Sequence, residues 1–222
     1  MKTLDERQIE EALYVYRRYA TEVVEGLKLC PWALPSRKAG RVREQVILLS
    51  DANAGEAAKA VHEISSDEGI DIGLLIFPRL ALGRMDFERF VKSVRDEDMK
   101  NYEVGGPPMA MAAFHPDGQP DLATAERLTP FLRCTPDPTI QLVRTSALEK
   151  VRSADEHGSK LVDINTIDWN TYLKTPAKVP LHERIADMNL ETVTNLGVTE
   201  VQALLRDIRA DRDRRYLALQ QP

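Results

Sequence analysis

The sequence predicts an α/β protein: a small, mainly parallel sheet of three or slightly more strands, joined by crossover helices and followed by extra C-terminal helices. Three observations carry this prediction. Apolar runs at 46–49, 70–77 and 109–114 alternate with segments of helical period at 54–67 and 86–94, and that order favours crossover connections. The run from Leu74 is continuously apolar, as in a strand covered on both faces. The chain has 222 residues, 43% hydrophobic and 29% charged, which is enough for one core without staples and marks it as globular. A single α/β domain over 1–222 is therefore expected, with antiparallel pairing of one strand left open.

Each element has its own signal. In 5–29, Ile9, Leu13, Tyr16, Ala20, Val23 and Leu27 step by three or four, a helical stripe that Pro31 ends. A loop with Pro35 and Gly40 leads to a first strand, Arg41 to Ser50, centred on Val46–Leu49. Asp51 or Asn53 is placed to cap a helix over 54–67 that buries Ala57, Val61 and Ile64. The second strand is Ile70 to Phe77. A helix from Asp86 turns Phe87, Phe90, Val91 and Val94 inward. The pair Gly105–Gly106 with Pro107–Pro108 breaks the chain before a third strand, Met109 to Phe114.

The stretch His115 to Pro138 holds five prolines and reads as turns, Thr139 to Val151 reads as helix, and 152–179 as an irregular insertion with Trp169 and Tyr172 as anchors. Pro180 suits the first turn of a helix burying Leu181, Ile185, Met188, Val193 and Leu196, which Gly197 ends. Thr199–Gln202 has a capping-box pattern for a last helix with the stripe Val201, Leu204, Leu205, Ile208. Within the C-terminal helix and tail, 199–222, residues 199–209 should pack on the domain. Beyond Ala210 charges dominate, so 211–222 are expected to project into solvent or meet a second copy.

Several classes are disfavoured. No secretory leader and no run of roughly 20 apolar residues is present, so a soluble cytoplasmic protein is expected, with no membrane partner. The two cysteines, Cys30 and Cys134, make no disulfide scaffold and no CxxC metal pair. A net charge of −5 argues against general nucleic-acid binding, though a local basic patch suits a small anion. Phosphate-loop, dinucleotide, HExxH and GxSxG motifs are absent, and no cofactor is implied.

Four places offer chemistry. Cys30, in Leu29–Cys30–Pro31–Trp32–Ala33, sits at a chain break where a thiolate can act as nucleophile or ligand, although a helix C-terminus disfavours the anion. A buried cysteine packed like a small apolar residue is the alternative. His115, in Phe114–His115–Pro116–Asp117, follows the third strand, where open α/β sheets place ligands. It suits acid–base work, or simply locks the turn through a backbone hydrogen bond. Arg133 and Arg144 flank a turn-rich segment and can grip carboxylate or phosphate with paired hydrogen bonds, or form salt bridges. Arg37, Lys38, Arg41 and Arg43 put four cations in seven residues near Trp32, an anion-attracting loop or a solvated one.

Val23 to Ala33, Gly40–Arg41–Val42–Arg43, Phe114 to Asp117 and Asn189 to Gly197 together resemble the bacterial family called domain of unknown function 1415. Trp32 stands where that signature has Phe. Cys134–Thr135–Pro136–Asp137–Pro138 replaces its Arg-Ser-Pro-aromatic-Pro, Gln141 replaces a His, and Arg144 matches its final Arg. The resemblance implies that Cys30, Arg43, His115 and Arg144 share one pocket; it carries no activity.

The leading expectation is a small-molecule enzyme with Cys30 as nucleophile or redox centre and His115 as its base, within a few ångströms of each other. Arg43, Arg133, Arg144, Trp32 and Asp117 would bind an anionic substrate. The rival is a non-catalytic protein that binds an anionic metabolite or assembles as a homo-oligomer through the C-terminal helix. A metal-dependent role ranks third, with His115, Asp117 and Cys30 as ligands but Gln141 in place of a fourth, and no metal is assigned.

Overall fold

The structure is a computed structural model that describes residues 2–103, 106–147 and 181–220, the side chains of 181 and 182 excepted. It is mixed α/β. Helix α1, Leu4–Arg18, opens with a capping box between Thr3 and Glu6 and runs into a π-helical stretch, Tyr19–Glu25. Then follow α2 Ala33–Lys38, β1 Val42–Val46, α3 Ala54–Ser65, β2 Ile72–Ile76, α4 Arg84–Asp98, β3 Met109–Phe114, α5 Ala125–Leu132, β4 Thr139–Arg144, α6 Leu181–Leu196 and α7 Val198–Leu219. Asn53 is the residue that caps α3, accepting from the Glu56 N–H.

The sheet corrects the expected topology. Among the described residues it has four strands in the order β1-β2-β4-β3. Only β1 and β2 are parallel; β4 runs antiparallel to both β2 and β3. The missing strand is 139–144, which had a helical expectation. Thr139, Ile140 and Val143 are β-branched, and Thr139, Ile140, Leu142, Val143 and Arg144 are all buried, so a place between two strands overrides any helical preference of the residues that follow. The first strand also ends at Val46, so Ile47–Leu49 lie beyond it. Within the expected turn region, Thr124 caps α5, which closes over Leu128, Phe131 and Leu132 despite Pro130.

Strand alternation divides the core in two. Leu75, Ile140 and Leu142 join α3 and α4 on one face, around Phe77, Phe87 and Phe90. Ile72, Leu74 and Ile76 face the other way, toward α1, the π-helical stretch, α5, α6 and α7. Gly73 is required on the first face: a Cβ there would lie 2.7 Å from Ile64 Cγ2 and 3.0 Å from Leu142 Cδ1.

The C-terminal helices differ from expectation in detail. In α6 Val193 is buried, but Met188 and Leu196 are 56% and 48% exposed. Gly197, at φ +94°, joins α6 directly to α7 and leaves no room for the expected capping box; α7 has no side-chain cap. Val201, Leu205 and Ile208 are buried as expected, with Leu204 half-buried. The next turns do not project freely. Arg212 donates two hydrogen bonds to the buried Asp137 carboxylate, at 2.9 and 2.8 Å, and the Tyr216 hydroxyl donates a third, at 2.6 Å. Arg215 pairs with Glu11 and lies over the Tyr14 ring. The expected insertion at 152–179, its anchors Trp169 and Tyr172, and Pro180 lie outside the described residues. No helix among the described residues is long and apolar enough to cross a membrane.

Candidate functional site: an apolar cavity with one unpaired guanidinium

On the α1 face a cavity of about 350 Å³ lies between the sheet and the helices. Its floor is a row of register partners, Glu44–Leu74–Gln141–Ala112, that crosses all four strands. At a strand spacing of ~4.8 Å this row is about 14 Å long. Tyr16, Tyr19 and Val24 form the roof, the Cys30–Ala33 turn closes one side, and Ile185, Ala186 and Asn189 of α6 add a wall. The Tyr19 hydroxyl donates to Leu132 O at 2.6 Å, tying the π-helical stretch to the end of α5.

Cys30, Trp32 and Arg133 line this cavity; Arg43, His115, Asp117 and Arg144 do not. Strand parity explains the separation. Phe114 points into the cavity, so the next residue turns to the opposite face, where the His115 ring stands 5.8 Å from that of Phe87. There His115 Nδ1 accepts from the Asp117 N–H at 3.1 Å, so the proton sits on Nε2, 2.9 Å from Leu82 O. Asp117 meets Arg209 at 3.1 Å. Arg144 shares a face with Ile140 and Leu142 and donates to Ile70 O, Ser65 O and Asp67 O, gathering the end of α3 and the start of β2. Arg43 makes an exposed 3.4 Å pair with Asp67. The shared pocket implied for Cys30, Arg43, His115 and Arg144 therefore does not form, and Cys30 and His115 are not brought together.

Two arginines of the basic loop are held in local pairs: Arg37 grips Glu25 through two nitrogens, and Arg41 grips Asp71 in the same way. Glu44 takes Arg17 at 2.6 Å. Arg133 is different. It is half-buried, its guanidinium lies 5.2 Å over the Phe114 ring, and no carboxylate among the described residues is within ion-pair distance. Burial lowers its pKa, with Tyr19 and Glu88 acting the other way. Further polar groups lining the cavity are uncommitted among the described residues. The Trp32 Nε1 is shielded from water without an acceptor, and the Gln141 amide makes no hydrogen bond. Gln141, like Tyr19, Glu25 and Glu44, lines the cavity without being singled out by the sequence as a site residue. Reading 139–144 as a strand would have placed it, because it alternates with Ile140 and Leu142.

Cys30 sits in the wall as a thiol. Burial pushes it up to about 11, against the backbone N–H groups of Trp32 and Ala33, which favour the anion. Alkylation of Cys30 by iodoacetamide, resolved from Cys134 by peptide mapping, should therefore be slow near neutral pH and still rising above about pH 9. A plateau below that pH would show a thiolate that the surroundings do not support. Among the described residues no group of three or more His, Cys, Asp or Glu side chains is placed to hold a metal ion.

No curated protein and no solved structure matches the chain. A family model described as "Protein of unknown function (DUF1415)" matches residues 11–175. That span runs across most of the stretch expected as an insertion and stops short of the Asn189–Gly197 likeness. It covers well over half of the 222 residues, and the chain belongs to this family.

Proposed function

We propose that the protein binds a small organic anion with a largely apolar body in the Cys30 cavity, with Arg133 as its anchor. The observation that carries this reading is the Arg133 side chain, which lines an apolar chamber, lies over the Phe114 ring and has no carboxylate among the described residues within ion-pair distance, Glu88 acting on it only from farther away. A cation taken from water and left without a counter-charge is costly, and an incoming carboxylate offsets that cost with two parallel charge-assisted hydrogen bonds. The volume suits a ligand of modest size, and mostly apolar walls with a few polar groups are the usual make-up of such sites.

Binding without chemistry is favoured over cysteine catalysis, because the thiol is held protonated and its proposed base lies across the sheet. The test is isothermal calorimetry and thermal shift with medium-chain and aryl carboxylates beside their neutral amides. Carboxylates should bind and amides should not. Arg133→Gln should weaken carboxylate binding by about 10- to 100-fold, the worth of a charged hydrogen-bond pair. Equal binding by Arg133→Gln and the native protein would refute the reading.

A further inference from the structure

Strand register places a polar group beside the cation of the cavity. Gln141 stands at the middle of the floor, between its ladder partners Leu74 and Ala112. Two residues along β3 from Ala112, on the same face, is Phe114, and the Arg133 guanidinium lies 5.2 Å over its ring. Gln141 and Phe114 are thus diagonal neighbours on adjacent strands, ~7–8 Å apart and within reach of long side chains. The Gln141 amide and the guanidinium therefore occupy adjacent places, not opposite ends of the floor. The far end is Glu44, two strands beyond Gln141, where Arg17 already pairs with it.

The amide opens into the cavity. Gln141 is half-buried and makes no hydrogen bond among the described residues. The polar side-chain atoms that are both shielded from water and unpartnered belong to Trp32, Asp98 and Arg215, not to Gln141. Its amide is therefore still in reach of water, and the space that it lines is the cavity. A ligand seated on the floor takes that water away and must replace its hydrogen bond, because a desolvated amide left unpaired is costly. Beyond Gln141 the floor continues as Leu74, with Ile72 and Val42 beside it, an apolar stretch that suits hydrocarbon.

We infer that the preferred ligand is a hydroxy acid with its hydroxyl close to the carboxylate and a plain hydrocarbon chain beyond. This rests on the reading that Arg133 anchors the anion. The guanidinium takes the carboxylate, the Gln141 amide takes the hydroxyl, and the Leu74 stretch takes the chain. A hydroxyl both donates and accepts, so the amide meets it with either its oxygen or its nitrogen. The position of the hydroxyl sets selectivity among acids of one length. A plain alkanoate strips the amide of water and returns nothing, and a hydroxyl carried further along the chain is itself buried against Leu74. A side chain fixed on one side of the ligand also prefers one hand.

The experiment is calorimetry on the native protein with heptanoate, with 2- and 3-hydroxyheptanoate as separate enantiomers, and with their positional isomer 6-hydroxyheptanoate. One enantiomer of a 2- or 3-hydroxy acid should bind about tenfold more tightly than the 6-hydroxy isomer, the worth of one hydrogen bond to a desolvated amide, and more tightly than its own mirror image. The isomers have the same composition and charge, so their order reports where the hydroxyl is met. On Gln141→Leu, the ratio between that enantiomer and the 6-hydroxy isomer should fall to about one. A native protein that binds no 2- or 3-hydroxy acid more tightly than the 6-hydroxy isomer overturns the inference. So does a ratio that survives in Gln141→Leu. Heptanoate binding lost on Arg133→Gln would in either case leave the anion reading standing. No binding by any of these acids overturns both. Should Gln141→Leu fail to fold, the order of the isomers on the native protein still decides.

Discussion

Replacing Arg212 with methionine should destabilise the fold by about 3–5 kcal/mol at neutral pH, because it leaves the Asp137 carboxylate buried without a counter-ion. Asp137 is fully buried, and Arg212 supplies the only cation in its ion pairs among the described residues. The size of the effect should depend on pH in a defined direction. Burial pushes the Asp137 carboxyl up from its ordinary 3.8, and Arg212 and Tyr216 limit that rise. A raised native value means that the folded chain holds this proton to higher pH than the unfolded one. Its contribution favours the fold most fully below 3.8 and is lost as pH climbs through the native value. Without Arg212 the native value rises further. The variant should therefore be close to the native protein in acid and show its full deficit at neutral pH. Urea melts at several pH values measure this, and a deficit independent of pH would show that Asp137 is not its source. Deleting 211–222 should cost at least as much, since it also removes Tyr216.

Arg144→Met should be the second large loss, about 3–5 kcal/mol, while leaving carboxylate affinity unchanged. Arg144 is 8% exposed, and its guanidinium donates to three backbone carbonyls from the end of α3 to the start of β2. Methionine fills much of the volume but leaves those buried acceptors without their charged donor. Chemical denaturation gives the first quantity, and calorimetry with heptanoate on the folded variant gives the second. A stable variant that no longer binds would return Arg144 to the role its sequence position suggested, that of a ligand anchor.

Arg144 and Arg133 illustrate what was legible in the chain and what was not. Both are arginines beside a turn-rich segment, and both are well placed to hold an anion. Arg133 is placed by the end of α5, whereas the side on which Arg144 lies depends on strand parity, which a helical reading of 139–144 hides. The strand signal is blurred there because 145–147, which are helical, continue the segment without a break. His115 follows a strand that the sequence places correctly, but the side it takes was not legible: one residue earlier, Phe114 faces the cavity. In contrast, Phe87, Phe90, Val91 and Val94 were readable as the inner face of α4, because fifteen residues of one period leave a single solution. Cys30 and Trp32 were singled out by the break at Pro31, a local signal that needs no knowledge of topology. Gly118, by comparison, carried no signal, yet a Cβ there would stand 2.3 Å from Pro130 O.

The antiparallel β4, lying between β2 and β3, sets an order on assembly. β1, α3 and β2 are contiguous in sequence, so their pairing closes a short loop at small entropic cost. Among the described residues β3 has no ladder partner except β4. A growing chain that has emitted residues up to 138 therefore holds β3 complete but with nothing to pair with, and its apolar Met109–Phe114 run must wait for Thr139–Arg144. When β4 arrives it joins both neighbours in a single event, since Ile140 faces Leu75 on one side and Ala113 on the other. The two halves of the sheet thus become one cooperative unit through a strand of six residues, and damage to that strand separates β3 from everything else in the sheet.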